Sequence, residues 1–434
     1  MSGIYNFSNI RYAAPPLGDL RFRAPVPPEE DRSQTLIALP LVRSQLEGGF
    51  QVNESVSSPY DLFPPDPRIT EDSLSRCSCS KKIFDRRGEK RAPVLVWIYG
   101  GGYVSGDKSE TDASGLMQQS MQDGRDGIVY VALNYRLGAF GWLGGETFKK
   151  NGTANAGLLD QRLALEWLQK YIHLFEGDPD NVTVMGESAG GGCIFHQLTA
   201  YGGQKGPAPF KQAILQSPGW IPVDENQQET ACKDSWTVWA STRLRKRGSY
   251  TRTRRLLLKG DFDHNVTVMV GHNTNEGLWF TLPLALIESY YSSYLKSAFP
   301  ELRPSRASLT IADVAFQCNT DYLNRAYLNQ TYAYQFSVWP ALRGQDMLHT
   351  FFNGDANRFM NLMSVNETVA QAMQDYITSF VETGVPKSSL GLEFEKHGEQ
   401  NRMLELGNEG IYVTSDPTAN ARCRCWQTGE YYDD

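Results

Sequence analysis

Apolar positions in this chain come in short solid blocks rather than strict alternation. Residues 93–99, Pro-Val-Leu-Val-Trp-Ile-Tyr, form one such block and run into Gly100-Gly101-Gly102; residues 128–133 form another. Runs of this length, apolar on both faces and closed by turn residues, predict strands buried in a parallel sheet. Residues 182–185, 213–216, 266–270 and 332–336 predict further strands. Between Gly157 and Phe175 the period changes: Leu159, Leu163, Trp167 and Tyr171 recur every four residues with charges between them, predicting an amphipathic helix. A helix-compatible stretch follows Gly190 to about Ala200. A late helix carries Val369, Met373, Tyr376, Ile377 and Phe380 and is closed by Gly384 and Pro386. Residues 10–30 hold five prolines and read as extended. Strands alternating with helices predict an α/β fold: one open, mostly parallel sheet with helices on both faces. No shift of composition divides residues 1–434 into more than one domain.

Composition narrows the function classes. The chain has 434 residues, of which 41% are hydrophobic, enough for a full core. Lys+Arg 42 against Asp+Glu 49 gives a net charge of −7, which argues against a nucleic-acid binder. No run of 18 apolar residues occurs, so no membrane span is expected. The first residues have neither a basic stretch nor an apolar core, so no secretory signal is expected. Seven Asn-x-Ser/Thr sequons, at Asn6, Asn53, Asn151, Asn181, Asn265, Asn329 and Asn366, point the other way, to a secreted ancestry and a glycoprotein. The compartment stays open between the two. Seven cysteines leave at least one thiol unpaired within the chain. The pairs Cys77/Cys79 and Cys423/Cys425 lack zinc-site spacing and a nearby histidine, so no metal and no cofactor are expected.

The chemistry gathers in Gly186-Glu187-Ser188-Ala189-Gly190, a G-x-S-x-G pattern between a predicted strand and a predicted helix. A turn this sharp leaves no room for Cβ atoms two residues either side of the serine. It pushes Oγ out at a helix N-terminus, where developing negative charge is favoured. The other element is Gly100-Gly101-Gly102 at the end of residues 93–99. Its backbone N–H groups, Gly101 and Gly102 with Ala189, can converge on an oxyanion.

Blocks spread over most of the chain carry a resemblance. They are residues 9–18 (Asn-Ile-Arg-Tyr-Ala-Ala-Pro-Pro-Leu-Gly) with Leu20-Arg21-Phe22, Val96–Gly102, Asn134-Tyr135-Arg136-Leu137-Gly138, residues 155–161, and Gly177-Asp178-Pro179 leading to Gly186–Gly191. The chain resembles the type-B carboxylesterases and lipases, α/β-hydrolases that include fungal lipases and the cholinesterases. The resemblance implies a Ser nucleophile at Ser188 and an acid at Glu276, in Gly271-His272-Asn273-Thr274-Asn275-Glu276-Gly277. Glu187 then lines the pocket and disfavours anionic substrates.

Departures from the family pattern are equally specific. The family's catalytic histidine belongs to His-Gly-x-Asp, but this chain reads Arg343-Gly344-Gln345-Asp346. A guanidinium stays protonated and cannot act as the base. His349 stands six residues on as a replacement, though a local reversal would be needed to bring its ring to Ser188; His272, four residues before Glu276, is a weaker one. The family's disulfide cysteine near residue 73 is Ser73. The following stretch, Ser75–Lys82, is polar where a buried strand should be apolar. The chain enters the pattern late and is short around 221–265, where residues 243–255 carry seven basic side chains. The reading is a carboxylic ester hydrolase acting through an acyl-enzyme on a small or medium apolar ester, in fungal secondary metabolism by resemblance. Its activity is impaired if Arg343 holds the base position. The alternative is a catalytically silent esterase-like protein that binds a ligand or partner.

Overall fold

In the computed structural model, residues 4–29, 75–85, 90–220, 256–281, 304–354 and 365–428 are described. Ten strands form one sheet: β1 (Ile4–Ile10), β2 (Ser75–Ser80), β3 (Ala92–Ile98), β4 (Val129–Leu133), β5 (Gly177–Glu187), β6 (Gln212–Gln216), β7 (Thr267–Asn273), β8 (Tyr332–Ser337), β9 (Arg402–Gly407) and β10 (Gly410–Ser415). Their order is β1-β2-β4-β3-β5-β6-β7-β8-β9-β10. From β4 through β9 every neighbouring pair is parallel, while β1/β2, β2/β4 and β9/β10 are antiparallel. This is the α/β-hydrolase arrangement, with helices on both faces of a mostly parallel sheet.

The middle strands bear out the block pattern. Val94, Leu95, Val96, Trp97 and Ile98 are all fully buried, so both faces of β3 are covered. Each such side chain contributes roughly 1.5–3 kcal/mol on leaving water. The covering helices include α1 (Ala156–Tyr171), α2 (Ala189–Leu198) and α5 (Glu367–Thr383); between α2 and α5 lie α3 (Cys318–Ala326) and α4 (Gln345–Thr350), and α6 (Ala421–Thr428) closes the chain. Asn366 caps α5, its Oδ1 accepting from Val369 N at 3.2 Å, and Gly384 ends the helix at φ 77°.

Helix α1 is where expected, and its Leu163 and Trp167 pack against the core from the edge of a more deeply buried face. Asp160, Gln161, Ala164, Leu165 and Leu168 are buried, whereas Leu159, Leu163, Trp167 and Tyr171 are half-buried. The cause is an ion pair that lets a carboxylate face inward. Arg136 Nε and Nη2 donate to Asp160 Oδ2 and Oδ1 at 2.8 and 2.7 Å. Arg136 Nη1 donates to the carbonyls of Arg21 and Arg23, fastening the N-terminal segment to the sheet.

The polar stretch at Ser75–Ser80 is a strand after all, inserted between β1 and β4. Its hydroxyls replace apolar packing with local bonds. Ser75 Oγ donates to Ile10 O, Ser78 Oγ to Asn6 Oδ1, and Ser80 Oγ accepts from Ile83 N. Cys77 and Cys79 are buried free thiols on this strand. Cys318 and Cys423 form a disulfide joining α3 to α6. Ser73, Asn53, residues 243–255 and most of the short region 221–265 lie outside the described residues.

Candidate active site

The parallel strands end on one side of the sheet, and their last residues build the site. β5 runs into Ser188, which takes φ 57° and ψ −125°. A non-glycine residue held in a sparsely populated conformation costs on the order of 1–3 kcal/mol and needs support from its surroundings. The support is a set of backbone bonds: Ser188 N donates to Gln216 O at 3.0 Å, and Ser188 O accepts from Gly192 N at 2.9 Å and Gly219 N at 2.6 Å. Gly190 explains the motif's spacing. A Cβ there would lie 2.0 Å from Ile98 O, so only glycine lets the elbow press against the end of β3.

That contact brings the glycine triplet to the elbow. Gly101 and Gly102 are exposed, with φ 91° and 63°. The Gly101 carbonyl accepts from Val104 N, Ser105 N and Ser105 Oγ, which fixes the turn. Ala189 is the first residue of α2, so its N–H has no acceptor within the helix.

Glu276 follows β7 and is fully buried. Its Oε1 accepts from Asn273 N at 2.8 Å and from Ser217 Oγ, while Oε2 accepts from Arg343 Nη1 at 3.1 Å. Arg343 thus forms a buried ion pair with Glu276. Its Nη2 lies 3.2 Å from Glu187 Oε1, without hydrogen-bond geometry. The guanidinium carbon also lies over the Phe316 ring, 3.6 Å from its centroid.

Glu187 is 6% exposed and burial pushes its carboxyl up to about 8; Arg343 opposes the shift, and Asp346, Glu276 and Glu110 add to it. At that value the carboxyl is mostly protonated at neutral pH and carries little charge against an anion. Asp346 accepts from Asn273 Nδ2 at 3.0 Å and Tyr334 Oη at 3.0 Å, and its carboxyl is raised to about 6, chiefly by burial.

His349 is not brought to Ser188. It sits on α4, fully buried, its ring 4.6 Å from that of Phe336. Nδ1 is 3.2 Å from Gln345 O and Nε2 accepts from Asn366 N at 3.0 Å, so both nitrogens are engaged with backbone. Burial lowers it to about 4, keeping the ring neutral. His272 precedes Asn273 on β7 and turns to the opposite face, 3.4 Å from Thr320 Oγ1.

Ser217, Asn273, Gln216 and Tyr334 are site residues that the sequence reading did not single out. Gln216, a polar residue ending β6, is the one local signal among them; the roles of Ser217, Asn273 and Tyr334 depend on which strand ends the sheet brings together. Of the described sequons, Asn6, Asn151 and Asn265 are exposed and Asn181, Asn329 and Asn366 half-buried. Asn181 Nδ2 donates to Glu382 O and Asn366 is the cap of α5.

Comparison with known proteins places the chain in a family. The carboxylesterase family profile matches residues 1–236. A carboxylesterase patB from Aspergillus clavatus is 34% identical over 98% of this chain and 92% of its own length. A secreted lipase from Arthroderma benhamiae is 30% identical over 79% of each chain. The solved structure of Aspergillus niger EstA superposes with a TM-score of 0.74 at 23% identity, covering 98% of this chain and 94% of that one. Sequence, fold and strand-end chemistry converge on one assignment: the chain belongs to the carboxylesterase family of carboxylic ester hydrolases.

Proposed function

We propose that the chain is a serine ester hydrolase. Ser188 Oγ attacks the carbonyl of a small or medium apolar ester, and the N–H groups of Gly101, Gly102 and Ala189 hold the tetrahedral oxyanion. The observation that carries this reading is the strained Ser188, held at a helix N-terminus against the glycine triplet. Leu278, Trp279 and Phe280 expose apolar surface just beyond Glu276, which suits an apolar acyl or alcohol group of the size of a secondary metabolite. One sheet from Ile4 to Ser415 supports reading the chain as a single catalytic unit. Glycans would attach first at the exposed Asn6, Asn151 and Asn265.

Arg343 makes the enzyme slow at neutral pH. A serine hydrolase that loses its base can lose on the order of 10⁶ in turnover, retaining roughly 10³–10⁴ over water from its oxyanion hole and binding. The same ion contacts favour a second reading, a silent esterase-like scaffold whose acid is locked by Arg343. Fluorophosphonate labelling with peptide mapping separates the two. An adduct on Ser188, lost with all ester hydrolysis in a folded Ser188→Ala variant, is the expected result. Ser188→Ala keeps the elbow's glycines and differs by one oxygen on a half-buried residue, so its melting temperature should stay close to the wild type. A folded wild type that never labels leaves the silent scaffold.

A further inference from the structure

The position that should hold an imidazole holds a guanidinium, so the proton on Ser188 Oγ needs another acceptor. Three carboxyl groups surround Arg343, and two are fully occupied. Glu276 receives Asn273 N, Ser217 Oγ and Arg343 Nη1. Asp346 receives Asn273 Nδ2, Tyr334 Oη and, at 3.5 Å, Gln216 Nε2. Glu187 differs: among the described residues no donor hydrogen-bonds its carboxyl, and Arg343 Nη2 approaches without donating. Its lone pairs are available.

Its placement suits the task. A Cβ built on Gly100 would lie 2.8 Å from Glu187 Oε2 and 2.8 Å from Ser188 Cβ, so the carboxyl oxygen and the serine share one small space at the glycine-triplet end of β3. Glu187 Oε2 thus lies no farther than twice that distance from Ser188 Cβ, the carbon that carries Oγ, so a bridging water can link the two groups. We propose that Glu187 is the general base of this enzyme, taking over from the missing imidazole; this rests on Ser188 being the nucleophile.

In the first half-reaction Glu187 takes the proton of Ser188 Oγ as Oγ bonds to the carbonyl carbon. The protonated carboxyl then gives that proton to the leaving alcohol oxygen as the C–O bond breaks. In the second half-reaction the carboxylate takes a proton from water attacking the acyl-enzyme, and returns it to Oγ as the acid leaves. Atoms and charge balance, and no cofactor enters. Facing Glu187 are Arg343 and Asp346 from the segment entering α4, Glu276 beyond β7, and Glu110 after the glycine triplet; Tyr103 and Tyr334 stay neutral because burial raises both phenols. With the carboxyl titrating at about 8, the reactive carboxylate is a minority species at pH 7 and the majority at pH 9.

The test follows two readouts from pH 6 to 9.5: p-nitrophenyl acetate hydrolysis, corrected by Ser188→Ala, and the rate of fluorophosphonate addition to Ser188. Wild type should rise about tenfold between pH 7 and 9 in both and then level off, as a single base of this pKa requires. Glu187→Gln resembles the protonated side chain and should fold; it should lower the plateau by on the order of 10²–10⁴ and flatten both profiles. Arg343→Met removes the opposing cation and should move the midpoint to higher pH. Glu187→Gln reacting like wild type with an unshifted profile, or an unmoved midpoint in Arg343→Met, overturns Glu187 as base while leaving Ser188 as nucleophile. A folded wild type inert to the probe at every pH overturns both.

Discussion

Arg343 Nη1 donates to Glu276 Oε2 across 3.1 Å, an ion pair in which the acid is fully buried. An imidazole in this position would donate one N–H to the carboxylate and keep a lone pair for the serine. A guanidinium has only donors, so it satisfies the acid and offers nothing to Ser188. On the proposed reading, this one side chain fills the imidazole's place without supplying its lone pair.

Arg343→His should therefore raise kcat/KM for p-nitrophenyl esters at pH 7 by two or more orders of magnitude. The pH midpoint should fall toward the ordinary histidine value of about 6.5. Thermal melting has to accompany the kinetics, because the change takes a cation from between two buried carboxyls. A folded variant with unchanged rate would show that the site lacks more than an imidazole.

Glu187 ties pH to stability with a definite sign. Its folded carboxyl titrates at about 8 against an ordinary 4.5, so the native state binds more protons than the unfolded one between those values. The contribution is fully present below about 4.5 and is lost as pH rises through about 8. Wild type should lose melting temperature across that window more steeply than Glu187→Gln, in which the group does not titrate. Identical slopes in the two proteins would contradict the raised carboxyl.

Arg136→Ala should destabilise the fold by about 3–5 kcal/mol, the usual cost of leaving one member of a buried ion pair alone. Asp160 would lose bonds of 2.7 and 2.8 Å, and the carbonyls of Arg21 and Arg23 their donor. Chemical denaturation measures the loss; a change under 1 kcal/mol would mean that water replaces the guanidinium.

What could be read from the sequence divides along physical lines. The central strands were legible because burial on both faces demands continuous apolar runs, and residues 93–99 meet that demand. Strand β2 was not, since its serines are satisfied by Ile10 O, Asn6 Oδ1 and Ile83 N, partners that no local pattern announces. The burial of Asp160 on α1 is not legible for a related reason: it points inward where Arg136 meets it. At the site, Ser188 and the glycines were legible because tight turns restrict residue type. Ser217 and Asn273 were not, because their roles depend on which strand ends the sheet places beside Glu276.

The covalent link between Cys318 and Cys423 spans 105 positions of sequence and fastens α6 to α3. A cross-link closing a loop of that size removes about 4.7 kcal/mol worth of disorder from the unfolded chain in the entropic account. Such links persist where the surroundings are oxidising and are rare in the glutathione-buffered cytosol. The choice of expression host thus becomes part of the biochemistry. Material made in a reducing cytoplasm would lack this tether, melt earlier, and understate whatever rate the finished enzyme has.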